Sequence, residues 1–257
     1  MTAEAILAQT SHRPWPLPAL PWAMTMRWCD LAFLHWPVRP DVLRPLIPAA
    51  LDIDTFDGMA WIGVVPFRME RVRLRLAPPI PTTSAFPELN LRTYVRSAGR
   101  AGVWFFSLDA ASSLAVRSAR TVTHLPYFEA TMGVSREGSD VRYESRRTHS
   151  GAPPAEFKAT YRPDGQVYRA DKGTLDHWLV ERYCLFAAGR HGRISSIDVH
   201  HAPWPLQRGT AEIQVNTMAA AAGIQLPSSS PVVHFAARQE VLAWLPAALP
   251  VSEVIEG

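Results

Sequence analysis

Along this chain the spacing of apolar positions changes from segment to segment, and the commonest period is two. Residues 51–56 alternate Leu51, Ile53 and Thr55 with Asp52, Asp54 and Phe56, as a strand does. Asp57-Gly58 then reads as a hairpin turn and residues 59–67 as an apolar return strand. The next segment alternates Arg68, Arg71, Arg73 and Arg75 with Met69, Val72, Leu74 and Leu76, which predicts a strand with one solvated face. Pro78-Pro79-Ile80-Pro81 predicts a loop. Residues 89–96 and 103–110 predict a second hairpin around 97–102, and further strands are expected at 141–147, 156–162, 167–170, 211–215, 232–237 and 241–245. Helical spacing is rarer. Residues 40–46 carry Pro40 in the first turn and Asp41 at the positive end of the helix dipole. Thr174 is placed to cap a helix running through Phe186, with Leu175, Trp178, Leu179, Arg182 and Leu185 on its repeat. A short helix is expected between Asn216 and Gly223.

Many short strands and few helices make this a mostly β (α+β) chain whose antiparallel sheet is closed or nearly closed on itself, with peripheral helices. The 23 prolines argue against long helices. With 257 residues, 47% of them hydrophobic, the chain can bury one sizeable core. The division expected is an extended Pro/Trp-rich arm over residues 1–23, packed on the surface or on a partner, and a single domain over 24–257. The net charge of +3 is carried almost wholly by arginines scattered along the chain, which excludes a concentrated nucleic-acid patch. Cys29 and Cys184 match no metal or redox spacing and read as buried small hydrophobes. Residues 1–10 lack the features of a signal peptide, and no apolar stretch is long enough to span a bilayer, so a cytoplasmic protein is expected with no membrane partner.

One strand holds most of the candidate chemistry. Glu88, Asn90, Arg92 and Tyr94 share one face, while Leu89, Leu91, Thr93 and Val95 share the other. The polar row is either a solvent face or the wall of a cavity where carboxylate, amide, guanidinium and phenol converge on a small polar ligand. Tyr143, Ser145 and Arg147 repeat the pattern on a later strand, where Arg147 would either fork onto a ligand carboxylate or pair with a surface acid. Asp109 ends an apolar run, as a turn residue or as the buried partner of an arginine such as Arg120. His200 and His201 are adjacent and so point to opposite faces of a strand, which suits structural histidines better than a chelating pair. His124 is a weaker acid–base candidate. The two lysines, Lys158 and Lys172, fall on an alternating strand face and in a loop, not in apolar runs that would lower an amine pKa. Gly-rich phosphate loops, nucleophile elbows and metal motifs are missing, so no cofactor or metal is expected.

Several long motifs resemble the YqjF-like family of bacterial proteins of unknown function. They are Met26-Arg27-Trp28 with Phe33-Leu34-His35-Trp36-Pro37-Val38, Pro87 to Arg96, Gly102 to Ala110, Glu181-Arg182-Tyr183-Cys184-Leu185, and His200-His201-Ala202-Pro203-Trp204-Pro205-Leu206. That family is similar to the acetoacetate decarboxylase superfamily. The resemblance implies a cone-like antiparallel β-barrel of the acetoacetate decarboxylase type, with an internal cavity and a tendency to form homo-oligomers. It also implies that a catalytic lysine, which forms a Schiff base in the decarboxylases, should lie near Leu125-Pro126-Tyr127-Phe128, where Tyr127 and Phe128 stand instead. The acidic residue beside the family's cavity corresponds to Glu88, which favours the inward reading of Glu88, Asn90 and Arg92.

The resulting expectation is a small-molecule site for an organic acid or carbonyl compound, with Glu88 and Tyr127 as catalytic groups and Asn90, Arg92, Tyr94, Tyr143 and Arg147 as ligand contacts. Its chemistry would be proton transfer of the lyase or hydratase kind, without a Schiff base. The alternative is a non-catalytic metabolite-binding or protein-interaction module.

Overall fold

The computed structural model describes residues 2–77, 85–189 and 192–249; the loop expected at Pro78 to Pro81 lies outside them. In chain order the elements are α1 (Ala3–Leu7), β1 (Met24–Val38), α2 (Pro40–Leu43), β2 (Asp52–Ile53), β3 (Ala60–Leu74), β4 (Phe86–Ser97), β5 (Arg100–Ala110) and α3 (Ser113–Thr123). Then follow β6 (Tyr127–Glu137), β7 (Asp140–Arg147), β8 (Glu156–Tyr168), α4 (Leu175–Val180), β9 (Cys184–Ala188), β10 (Ile194–His200), β11 (Leu206–Asn216), α5 (Met218–Ala221), β12 (Val232–Ala243) and β13 (Ala247–Ala248).

The mostly β expectation holds, but the cone-like barrel does not. A simple barrel gives every strand two neighbours and leaves no edge. Here one 13-stranded sheet runs β13-β10-β9-β5-β6-β7-β8-β11-β12-β1-β3-β4-β2, with extra pairings β10–β12 and β5–β4. β5 has three partners, β4, β6 and β9, and its pairings with β6 and β9 are parallel. The physical cause is strand length. β5 meets β9 at Val103 and Trp104 and β6 at Leu108 to Ala110, so different stretches of one long strand serve different neighbours. The sheet therefore branches, and β2 and β13 end it.

Strands β12, β1, β3, β4 and β5 are common to both branches, and they carry a core on each face. On one side lie Phe33, Trp61, Val65, Phe67, Tyr94, Val103 and Phe105. On the other lie Leu34, Trp36, Ile62, Val64, Leu89, Leu91, Tyr143 and Phe157. A sheet buried on both faces reads as a continuous apolar run rather than an alternation. This is why β1, buried from Asp30 to Trp36, gave no period-two signal.

Other boundaries move for local reasons. The two segments expected at 59–67 and 68–76 form one strand, β3 (Ala60–Leu74), with Arg71 at a positive φ of 52°. Asp57 and Gly58 do make the expected turn, with φ of 49° and 76°, but β2 pairs with β4 rather than returning onto β3. The helix capped by Thr174 stops at Val180 because Arg182 folds back. Its Nε donates to the Trp178 carbonyl at 2.7 Å, and Leu185 and Phe186 join β9. The arm of residues 1–23 packs on the chain's own core. Buried Arg13 donates to the Val199 carbonyl at 2.8 Å and to Asp198 at 3.3 Å, and Trp15 donates to the same carboxylate at 3.0 Å. Among the described residues no helix is long and apolar enough to cross a membrane.

Candidate functional site

The polar row of β4 faces the protein interior. Glu88, Asn90 and Arg92 are only 2%, 5% and 9% exposed, and Tyr94 is fully buried. Pairing with β3 sets Glu88 opposite Phe67, Asn90 opposite Val65 and Arg92 opposite Gly63, so all four side chains enter the same core. A bulge between Leu91 and Arg92 against β5 leaves that alternation intact on the β3 side.

At one end of the row the Tyr127 hydroxyl, from β6, donates to Glu88 Oε2 at 3.3 Å. Burial pushes the Glu88 pKa up to about 8; the Tyr127 hydrogen bond works against the shift and the nearby Asp109 carboxylate adds to it. Glu88 is therefore mostly protonated at neutral pH. Burial likewise pushes Tyr127 well above the ordinary tyrosine range, so the phenol keeps its proton.

At the other end the Tyr94 hydroxyl donates to the Leu179 carbonyl of α4 at 2.7 Å and meets His35 Nε2 at 2.6 Å. Arg92 donates to the same hydroxyl at 3.2 Å. Its guanidinium lies 5.0 Å from the Phe33 ring centre. Phe33 packs edge-on against Trp204 at 5.0 Å, and Trp204 stacks on Trp28 at 5.8 Å. Arg182 lies over Tyr94 at 4.7 Å and over Trp178 at 4.4 Å, and is tied to the buried Asp54 at 2.6 Å.

Gly63 makes this arrangement possible. A Cβ there would stand 3.1 Å from the His35 ring and 3.2 Å from Arg92 Cγ, so a hydrogen is needed where β3 passes between them. Several buried polar atoms in this core have no hydrogen-bond partner among the described residues: Asn90 Oδ1, Arg92 Nε, His35 Nδ1, and the indole nitrogens of Trp28, Trp61 and Trp204. Buried polar groups are nearly always satisfied.

Two expected ligand contacts are spoken for by the protein. Tyr143 belongs to the opposite core, and its hydroxyl donates to the backbone carbonyls of Glu88 at 2.7 Å and Phe67 at 3.2 Å. Arg147 forks onto Asp109 at 2.7 and 2.9 Å, so Asp109 is a buried partner, of Arg147 rather than Arg120. Both lysines are exposed; Lys158 pairs with Glu144 at 2.7 Å. His200 and His201 sit in the structural lattice that anchors the arm, with His200 Nε2 at 2.9 Å from the Ile6 carbonyl. Sequence reasoning assigned no role to His35, Trp28, Trp204, Arg182 or Trp178. The first four lie inside the motifs that carried the family resemblance, which was the available signal. Among the described residues no group of three or more potential ligands gathers to hold a metal ion.

This chain is matched over residues 25–240 by a family model described as an uncharacterized conserved protein. The chain belongs to the DUF2071 family. It is 48% identical over 223 residues to the uncharacterized protein YqjF of Bacillus subtilis (strain 168), covering 87% of this chain and 91% of that one. Its fold is similar to an acetoacetate decarboxylase-like enzyme from Sphingomonas wittichii RW1, with a TM-score of 0.59, 14% identity, and coverage of 94% of this chain and 98% of that one. It is also similar to the enduracididine biosynthesis enzyme MppR complexed with pyruvate, with a TM-score of 0.59 and 12% identity over 92% of this chain and 93% of that one. At these identities the structural matches bear on the fold alone.

Proposed function

We propose that this DUF2071 protein binds a small organic acid or carbonyl compound at the buried β4 face and acts on it by proton transfer, without a Schiff base. The observation that carries the reading is the row itself: a carboxyl, an amide and a guanidinium lie side by side in a core, with Asn90 Oδ1 and Arg92 Nε unsatisfied. A guanidinium in such surroundings suits a carboxylate. Glu88, held protonated beside Tyr127, is suited to donate to a carbonyl oxygen or to exchange a proton with the ligand's carbon skeleton. An imine would need an amine nucleophile, and both lysines stand on the surface, away from the row. The pyruvate complex of MppR lends the reading support, since that protein has a similar fold.

A thermal-shift screen of small oxo acids, hydroxy acids and aldehydes on wild type and Arg92→Ala tests the site. Ligands that bind only the folded state raise Tm. Stabilisation of wild type alone supports the reading, and turnover assays with the same compound then separate enzyme from binder. Equal shifts in both proteins would remove Arg92 from the site and sink the proposal.

A further inference from the structure

A second group of donors lies outside the row. Helix α3 packs beside β6, and an open cleft of about 370 Å³ runs along it. Its walls include Arg117 and Arg120 of the helix, Glu129 of β6, and His149 and Ser150 of the loop after β7, with the buried Val116 as the floor. The register sets Glu88 opposite Ala110 and Ala110 opposite Glu129, so a single strand separates Glu88 from the cleft's own glutamate. Glu88 and Tyr127 do not line the cleft, which makes it a separate site.

Most of the cleft's donors are unspent. Arg117 meets Glu129 at 3.7 Å, beyond hydrogen-bond reach, and its side chain is 80% exposed. Arg120 donates from Nη1 to the Tyr127 carbonyl at 2.5 Å and lies 5.6 Å from the Phe128 ring centre. Those contacts hold the guanidinium in place, while its Nε and Nη2 make no hydrogen bond among the described residues. The Glu129 N–H meets His149 Nδ1 at 3.3 Å. A backbone N–H can only donate, so Nδ1 accepts and the ring proton is on Nε2. The loop is pinned as well, since the Thr148 and His149 N–H groups donate to the Glu129 carbonyl at 2.9 and 3.1 Å. On Phe128, Arg147 is already closed onto Asp109 and adds no free charge. Two guanidinium groups, an imidazole N–H and the Ser150 hydroxyl thus meet at one cleft, with Glu129 as the single acidic residue in its lining.

We propose that the α3–β6 cleft binds a phosphate monoester with hydroxyl groups on its organic part, the phosphoryl oxygens accepting from Arg117, Arg120 and His149. Two arginines match the nearly double negative charge of such a group at neutral pH. Its three terminal oxygens take donors from three residues on a helix and a loop, where a carboxylate offers two oxygens in one plane. The cleft is of ligand-pocket size and has room for more than a phosphoryl group. Val116 gives the organic part an apolar floor, and Glu129 gives its hydroxyls an acceptor. Repulsion by the same carboxylate keeps the phosphoryl group on the arginine side. The proposal stands independently of the acid-binding reading of the row.

The test is calorimetry with glycerol 3-phosphate, inorganic phosphate and glycerate, which carries its hydroxyls on a carboxylate, using wild type, Arg117→Ala, Arg117→Lys and Arg92→Ala. Wild type is expected to bind glycerol 3-phosphate about tenfold more tightly than either other probe. Arg117→Ala should weaken it about tenfold, the size of one charge-assisted hydrogen bond. Its Tm should not change, because the side chain is exposed and holds no other group in place. Arg117→Lys keeps the charge and should recover part of the loss, and Arg92→Ala should bind as wild type does. Unchanged affinity in Arg117→Ala, or binding lost in Arg92→Ala instead, would take the anion out of the cleft and overturn the proposal. So would equal affinity for glycerol 3-phosphate and glycerate, or a wild-type Kd weaker than about 1 mM. Inorganic phosphate bound as tightly as glycerol 3-phosphate would overturn the role given to the hydroxyls and Glu129.

Discussion

Replacing Glu88 by glutamine should change the pH dependence of stability more than stability itself at mildly acidic pH. Glu88 is 2% exposed, and its pKa is pushed from an ordinary 4.5 up to about 8, chiefly by burial. Below about pH 4.5 the carboxyl is protonated in both the folded and the unfolded chain, and its contribution is fully present. Between 4.5 and 8 the unfolded chain gives up the proton while the folded chain keeps it, so stability falls as pH rises, by about 1.4 kcal/mol per pH unit. Once both states are ionised, above about pH 8, the accumulated loss is on the order of 5 kcal/mol. Glutamine has nearly the same shape, can still meet the Tyr127 hydroxyl, and does not titrate. Urea unfolding of wild type and Glu88→Gln at pH 5, 6, 7, 8 and 9 measures the difference directly. Asp109, whose pKa burial also raises, is common to both proteins and cancels. The variant should gain on wild type steadily from pH 5 to 8 and level off above. Parallel curves over that range would mean that Glu88 ionises freely in the folded state, and the argument for a protonated acid would fail.

Gly63→Ala should lower stability by about 1–3 kcal/mol and weaken acid binding, because its Cβ meets the His35 ring and Arg92 at 3.1 and 3.2 Å; unchanged Tm and affinity would show that the two side chains are free to give way. Arg147→Ala leaves Asp109 buried without its fork and should cost about 3–5 kcal/mol in urea unfolding. Ligand affinity of the folded fraction should be unchanged there, and a selective loss of affinity would return Arg147 to the site. Lys158→Ala removes one exposed ion pair and should stay within about 1 kcal/mol of wild type with activity intact. Loss of turnover in that variant would refute proton transfer without a lysine.

The sequence showed the polar face of β4 and the hairpin that carries it, because a strand with unlike faces repeats every two residues. It also showed that Glu88, Asn90 and Arg92 belong together. It could not show which side of the sheet they face, since solvent and an inner cavity produce the same alternation; the family motifs decided that. The branching of the sheet was hidden for a different reason. A strand shared by two cores, such as β1, is apolar on both faces and has lost its period. Tyr143 and Arg147 repeat the β4 pattern on β7, yet that strand lies on the opposite core, and no local spacing records which core a strand joins. His35 and His234 lie on β1 and β12, about two hundred residues apart in sequence, and only the strand register brings them to one face.

Charge at the site is governed by burial. A core that excludes water makes ionisation costly, and its groups respond according to their kind: Glu88 keeps its proton up to about pH 8, while His35 and His234 on the neighbouring strands resist taking one. Arg182 is matched by Asp54, and Arg147 by Asp109. The guanidinium of Arg92 has no carboxylate partner among the ion pairs of the described residues, and Arg is not deprotonated in proteins. Near neutral pH the cluster therefore offers one unmatched positive charge amid neutral donors and acceptors. That balance is why the proposed ligand is one with a single negative charge. In the function proposed above, the cation that would attract the ligand and the proton that would act on it fall on different residues of one strand, Arg92 and Glu88, while both lysines stand on the surface.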